Sequence, residues 1–223
     1  MEIKVLKGIL DANEAIAARN RDRLDRDDTL TVNVMSSPGA GKTSLVLQII
    51  EKLKPEIKIA VIEGDIASSV DADKVSKHGV PVIQINTEGG CHLDANMIEN
   101  ALNNLSLGEI DLLLIENVGN LVCPAEFALG EHCKVMLLST PEGDDKPYKY
   151  PLMFTESDVI LVNKIDLLPY LDFNTDAFTS VVTGLNPDVK IYPISCKTGE
   201  GMETWFLWLK NEIKQIKSRQ AAE

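Results

Sequence analysis

A chain of 223 residues with 44% hydrophobic and 25% charged side chains has the balance of a soluble globular domain with one buried core. Its formal charge of −12 argues against wrapping DNA or RNA, which needs Lys and Arg concentrated on one face, so any polyanion it holds is small. No apolar run approaches a membrane span and Met1-Glu2-Ile3-Lys4-Val5 lacks the apolar core of a signal peptide; the expectation is a cytoplasmic protein whose four cysteines stay reduced.

In chain order, Ile3, Leu6, Ile9, Leu10 and Ile16 recur at helical spacing and predict an amphipathic helix that packs on the rest. A charged turn through Arg21 to Asp28 is expected to follow it. Residues 1–28 then precede a nucleotide-binding domain of residues 29–223, the two together forming one structural domain. β-rich runs come at 30–35, 57–63, 80–86, 111–115, 134–139, 158–163 and 189–194, with helical periodicity between most of them, as at 44–53, 93–105 and 201–217. The alternation predicts an α/β fold with a mostly parallel central sheet flanked by helices. No repeat or Pro/Gly-rich linker divides the chain.

The stretch MSSPGAGKTS (35–44) leaves a predicted strand and opens a helix, the context of a phosphate-binding loop. Gly39, Ala40 and Gly41 allow backbone N–H groups to face phosphate oxygens. Lys42 reaches the β/γ-phosphates, Thr43 offers a hydroxyl to Mg²⁺, and Ser44 continues the loop into the helix. Ser36 departs from the usual first glycine. In EGDIASSVDAD (63–73), Asp65 and Asp71 are candidates to bind Mg²⁺ or orient an attacking water, although Asp71 and Asp73 also suit a solvated helix start. GGCHLD (89–94) sets Cys91 directly before His92. From spacing alone this pair reads as a turn and helix start, because two adjacent ligands do not complete a tetrahedral site.

DLLLIENVGN (111–120) is an apolar strand ending in a carboxylate, with glycine three residues later. This is the pattern of a metal and γ-phosphate switch, with Glu116 facing Mg²⁺ and the Gly119 N–H reporting the γ-phosphate. Cys123 follows in the same segment. VNKID (162–166) ends another apolar strand. There Asp166 can accept from guanine N1–H and N2–H₂ while Asn163 and Lys164 support base and loop, favouring GTP/GDP over adenine nucleotides. SCKTGEG (195–201) supplies Ser195, Cys196 and Lys197 to a second guanine loop, with Cys196 structural in place of a more usual alanine. Cys133 opens an apolar strand and reads as core. His78 and His132 receive no role.

The motifs SSPGAGKTS, EGD, GGCHLDANMI, ENVGNLVCP, NKIDLLPY and SCKTGEGM occur in the order found in the hydrogenase nickel-incorporation GTPases of the HypB family. The resemblance spans nearly the whole chain and implies a P-loop NTPase that hydrolyses GTP and assists nickel insertion into nickel-iron hydrogenase. It further implies a GTP-dependent homodimer, and partnership with a nickel-delivery accessory protein resembling HypA and with the hydrogenase large-subunit precursor. Residue by residue, Cys91, His92 and Cys123 match the family's ligands for Ni²⁺ or Zn²⁺ near a dimer interface. A Cys-rich or His-rich amino-terminal metal region, found in some members, has no counterpart here. Nickel delivery to urease, and a metal-binding scaffold whose nucleotide is structural, are the alternative readings; multiple turnover of GTP separates enzyme from scaffold.

Overall fold

The computed structural model describes residues 8–66 and 70–220; Ile3 and Leu6 of the expected amphipathic stripe lie outside them. Seven strands, β1 (Leu30–Ser36), β2 (Ile59–Asp65), β3 (Val82–Asn86), β4 (Leu112–Glu116), β5 (Cys133–Ser139), β6 (Val159–Asn163) and β7 (Lys190–Pro193), form one sheet in the order β3-β2-β4-β1-β5-β6-β7. Every neighbouring pair is parallel. All residues of β1, β4 and β6 are buried. Helices cover both faces of these strands, which is why they read as near-continuous apolar runs.

The helices are α1 (Gly8–Arg26), α2 (Lys42–Leu53), α3 (Val70–Ser76), α4 (Ala95–Leu102), α5 (Cys123–Glu126), α6 (Lys146–Lys149), α7 (Pro151–Thr155), α8 (Thr175–Leu185) and α9 (Met202–Gln220). Strand alternation sorts side chains between them. Val32 and Val34 of β1 join a core with Leu45, Ile49 and Leu53 of α2 and Trp205, Leu209 and Ile213 of α9. On the opposite face, Leu113 and Ile115 of β4 pack with Leu24 of α1 and Ile98 and Leu102 of α4. Met35 joins Met153 and Phe154 of α7 and Phe178 and Val182 of α8.

β1 lies between β4 and β5, so the chain leaves it in opposite directions on its two sides and opens a crevice beyond the carboxyl ends. Ser36, Asp65, Glu116, Ser139 and Asn163 are the last residues of their strands and share that rim.

Two departures from the sequence reading have physical causes. The expected charged turn at 21–28 is helical through Arg26. Its charges conceal an inward stripe of Asn13, Ala17, Asn20 and Leu24, all buried at helical spacing. The helix expected over 93–105 starts at Ala95, because the Asp94 carboxylate caps it by accepting from Met97 N at 2.7 Å. α8, TDAFTSVVTGL, is rich in β-branched residues of modest helix propensity; Asn174 caps it, accepting from Ala177 N at 2.9 Å, and Phe178 and Val182 anchor it in the core. Among the described residues no helix is long and apolar enough to cross a membrane.

Candidate functional site

The loop between β1 and α2 is shaped by two glycines with positive φ, Gly39 at 78° and Gly41 at 109°. A Cβ on Gly41 would lie 2.7 Å from Asn163 Nδ2, so a side chain there would both strain the backbone and displace the motif that runs from Asn163 to Asp166. That motif braces the loop directly. Asn163 Nδ2 donates to Ala40 O at 2.9 Å and Lys164 Nζ donates to Gly39 O at 2.8 Å. Lys42 Nζ donates to the Ser36 hydroxyl at 3.1 Å, so the serine that replaces the usual glycine holds the lysine at the loop mouth.

Beyond the loop lies a cleft of about 460 Å³ whose walls include Gly39, Lys42, Thr43, Asp65, Asp71, Glu116 and Gly119. Asp65 ends β2. Asp71 lies in the first turn of α3 and pairs with Lys74 at 2.6 Å, so it occupies a helix start and faces the cleft at once. Thr43 Oγ1 donates to Glu116 Oε1 at 2.9 Å. Gly119 is packed against Pro38: an added Cβ would meet the Pro38 nitrogen at 3.0 Å. The segment after β4 therefore abuts the phosphate loop.

Glu116 has a neighbour that was not singled out from sequence. Glu63 of β2 is its register partner, and Oε2 of each is buried without a hydrogen-bond partner. Both carboxyls are raised to about 7, first by burial; for Glu63 the charges of Glu116, Asp71 and Asp65 add to it, and for Glu116 the pull of Lys42 and the Thr43 hydroxyl opposes burial, Asp71 and Asp65. Burial also lowers the Lys42 ammonium against the pull of Glu116, Asp71, Glu142 and Asp65. Two desolvated carboxylates beside a hydroxyl form an oxygen donor set that suits a small divalent cation. The sequence signal for Glu63 is a carboxylate inside the apolar run IAVIEGD.

A second depression of about 370 Å³ is lined by Asn163, Lys164, Asp166, Cys196 and Lys197; Gly41 and Ser44 line both cavities and make them one trough. Ser195 Oγ donates to Asp166 Oδ1 at 2.6 Å, and Thr198 N donates to the same hydroxyl at 3.1 Å. Cys196 N donates to Asn163 Oδ1 at 3.1 Å. Lys164 takes a left-handed conformation, φ 64°, and its carbonyl accepts from Thr140 Oγ1 at 2.8 Å. Carboxylate, amide and loop are thus held together at the rim.

Cys91, His92 and Cys123 meet although the chain separates the first and last by 32 residues. The two sulfurs are 3.0 Å apart, Cys91 Sγ is 3.6 Å from His92 Nδ1, and the three donor atoms lie within 4.8 Å of one another. The His92 ring rests on Phe127, centroids 4.0 Å apart, and burial lowers its basicity. The hydrogen bond with Cys91, followed by burial, raises the Cys123 thiol. Two sulfurs and an imidazole suit Zn²⁺ or Ni²⁺ and leave coordination positions open. Cys133 and Cys196 are elsewhere, buried, with thiols pushed up to about 12 chiefly by burial.

The two remaining histidines stand apart. His132 is buried: its Nδ1 accepts from Thr31 N at 3.0 Å and its Nε2 lies 2.9 Å from Asp25 Oδ1, tying α1 to the central strands. His78 lines a shallow depression with Ile50, Glu51, Lys54 and Pro55.

The family model described as the CobW/HypB/UreG nucleotide-binding domain matches residues 30–193. Hydrogenase maturation factor HypB of Rhizobium leguminosarum bv. viciae is 49% identical over 208 residues, covering 93% of this chain and 70% of its own length. The chain belongs to the HypB family. Two HypB crystal structures share its fold. The Archaeoglobus fulgidus protein superposes with a TM-score of 0.85 at 38% identity, covering 91% of this chain and 99% of its own. The Helicobacter pylori HypB, solved in complex with nickel, gives 0.87 at 36% identity, covering 92% and 96%. The seven-stranded parallel sheet with its flanking helices is thus the P-loop NTPase fold of HypB, and the chain is a nucleotide-binding protein of a hydrogenase-maturation family.

Proposed function

We propose that this HypB-family chain is a GTP-hydrolysing metallochaperone that holds Ni²⁺, with Zn²⁺ as competitor, at Cys91, His92 and Cys123 and assists its insertion into a nickel-iron hydrogenase. The observation that carries this reading is one continuous segment: Glu116 and Gly119 line the phosphate cleft, and Cys123, four residues past Gly119, touches Cys91.

Guanine binds at the rim, where Asp166, held by the Ser195 hydroxyl, accepts from the two donors that adenine lacks. The triphosphate follows the trough past Gly41 and Ser44 into the cleft, where backbone N–H groups of Gly39 to Ser44 and the Lys42 ammonium face its oxygens. Thr43, Glu116 and Asp65 hold Mg²⁺, which when bound neutralises charge on the β- and γ-phosphates. Lys42 leaves Ser36 for phosphate. Asp65 and Asp71 are the carboxylates available to orient water. Its oxygen attacks the γ-phosphorus, the bond to the β–γ bridging oxygen breaks with its electron pair left on GDP, one water proton stays on the new phosphate and the other is released to solvent, and GDP and phosphate leave.

Loss of the γ-phosphate releases Gly119, and the segment through Cys123 transmits that change to the thiols. Three protein ligands leave room for water or for a second copy of the chain, so GTP-dependent homodimerisation alters the metal site without adding a motif. The working compartment is the cytoplasm. The partners are a HypA-like nickel-delivery protein and the hydrogenase large-subunit precursor.

A metal titration with and without a non-hydrolysable GTP analogue, read by absorption and by sedimentation, tests the reading. Cys91→Ala and Cys123→Ala are each expected to weaken metal binding about a hundredfold, given ~10–16 kcal/mol for a full set of zinc ligands. The analogue should raise the sedimenting mass and GDP should reverse it. Wild-type metal affinity in both folded variants, or the absence of multiple GTP turnovers, rejects the proposal.

A further inference from the structure

Behind the metal donors runs a closed circuit of buried amides that neither the phosphate chemistry nor the metal chemistry uses. Asn117, directly after Glu116, accepts at Oδ1 from Leu93 N at 3.1 Å, one residue past His92. Its Nδ2 donates to Asn33 Oδ1 at 3.2 Å, in the middle of β1. Asn33 Nδ2 donates to Glu131 Oε1 at 3.1 Å, and Glu131 Oε2 accepts from Leu129 N at 2.7 Å. Asn20 of α1 closes the circuit: its Nδ2 donates both to Leu129 O and to Ala95 O, each at 2.9 Å. Asn13, two turns earlier on α1, repeats the bridge. It donates to Ala128 O at 2.8 Å and accepts from Ala95 N at 2.8 Å. All five side chains are at most 7% exposed.

The two arms joined by α1 are the ones that carry the ligands. Ala95 lies three residues past His92, and Ala128 and Leu129 follow Phe127, whose ring supports His92. No hydrogen bond of the circuit passes through the ligands themselves, so their separation is set by the backbone to which these amides bind. The fit allows little slack. A Cβ on Gly130 would lie 2.6 Å from Asn20 Cβ and 2.8 Å from Ala17 O, and Arg21 Nε donates to Gly130 O at 3.0 Å. An amide is the fitting group at these positions, since only its paired donors and acceptor match a carbonyl on one arm and a carbonyl or an N–H on the other. A buried amide in a helix otherwise lined by Ala17 and Leu24 is costly unless it is hydrogen-bonded; Asn20 Nδ2 meets two carbonyls, and Asn13 meets a carbonyl and an N–H.

We propose that Asn20 and Asn13 of α1 are positioning residues for the metal site, clamping the Cys91-His92 arm against the Cys123 arm. The proposal rests on the reading of Cys91, His92 and Cys123 as metal ligands. It gives α1 a function beyond packing: the spacing of donors that lie 32 residues apart in sequence is fixed by a helix that precedes them both.

The test is a Ni²⁺ titration of the full chain against a competing chelator, with the thiolate-to-nickel absorption recorded alongside. These amides bind backbone near the ligands and so act one step further out than the direct partners of metal ligands, which typically shift affinity ~10–100-fold; Asn20→Ala and Asn13→Ala are each expected at the lower limit, weakening Ni²⁺ about tenfold and changing the absorption band, while GTP-analogue affinity stays within about twofold. Asn20→Ser, whose hydroxyl serves one carbonyl of the two, should fall between and replaces Asn20→Ala if that variant does not fold. Arg23→Ala is the control. It removes contacts from α1 to Leu102 O and Asn103 Oδ1 at the far end of α4 and should lower stability with metal affinity unchanged. Wild-type affinity and spectrum in the folded asparagine variants overturn the proposal, as does an equal loss in Arg23→Ala. Failure of the underlying reading looks different: Cys91→Ala then binds Ni²⁺ as the wild type does, whatever the asparagine variants show.

Discussion

The proposed guanine end of the trough and its proposed cation end differ in the state of their polar groups before any ligand arrives. At the guanine end, Asn163 donates to Ala40 O and accepts from Cys196 N, and Ser195 holds Asp166. At the cation end, Glu63 and Glu116 each keep a buried oxygen without a partner, and both carboxyls sit at about 7. One end is a finished mould; the other stores two desolvated acids that a cation would satisfy. Base recognition therefore needs little rearrangement, whereas cation binding at neutral pH must expel protons.

The largest effect tests the mould. Asp166→Asn removes an acceptor for two donors, at about 1.5–3 kcal/mol per hydrogen bond to a charged group, so GTP affinity should fall by more than a hundredfold. Xanthosine triphosphate should recover much of that loss in nucleotide titrations. Equal wild-type affinity for ATP and GTP would break the comparison at this end.

The next effect tests the acids. Below pH 4.5 the two glutamates are protonated in folded and unfolded chains alike, and their contribution to stability is fully present. Between 4.5 and about 7 the folded protein keeps protons that the unfolded chain has released, so stability is lost as pH rises. At ~1.4 kcal/mol per pKa unit, counting the pair as one shared proton, the loss is about 3 kcal/mol. Thermal melts from pH 5 to 8 should show this slope without nucleotide, and Glu116→Gln should flatten it. Saturation with Mg²⁺ and nucleotide should also flatten it. Identical slopes in the wild type, Glu63→Gln and Glu116→Gln would show that these carboxyls are not the stored acids.

The smallest effect sharpens the contrast among cysteines. Cys133→Ala removes a buried sulfur from β5 and should cost about 1 kcal/mol of stability, with metal titrations superimposable on the wild type. Altered metal affinity would extend the proposed site beyond the three candidate ligands that meet in the fold.

How far the molecule was legible follows from the distance over which each feature is built. The phosphate loop and the Asn163-to-Asp166 motif are local: glycines with positive φ and polar strand ends are written in consecutive residues. Hydropathy likewise announced the strands, most plainly β1, β4 and β6, where burial on both faces leaves near-continuous apolar runs. Glu63 stands within the stretch EGDIASSVDAD but acquires meaning only beside Glu116, 53 positions away on the neighbouring strand. Asn20 was hidden further still. Its partners lie 75 and 109 residues ahead, and its neighbours Arg19, Arg21, Asp22 and Arg23 make the segment look like a solvated turn.

The placement of β1 also sets a timetable for the chain during its synthesis. β1 carries the phosphate loop at its end and is the first made of the sheet's seven strands, yet its neighbour β4 is translated only after α2, β2, α3, β3 and α4, and its neighbour β5 after α5 as well. At ~5–20 residues per second a ribosome takes roughly 5–20 s to travel from the end of β1 to the end of β5. For that interval the loop exists as sequence but not as a binding site, with the backbone edges of its strand unpaired. A nascent chain halted before Ser139 carries all of MSSPGAGKTS and has no complete sheet on which to mount it.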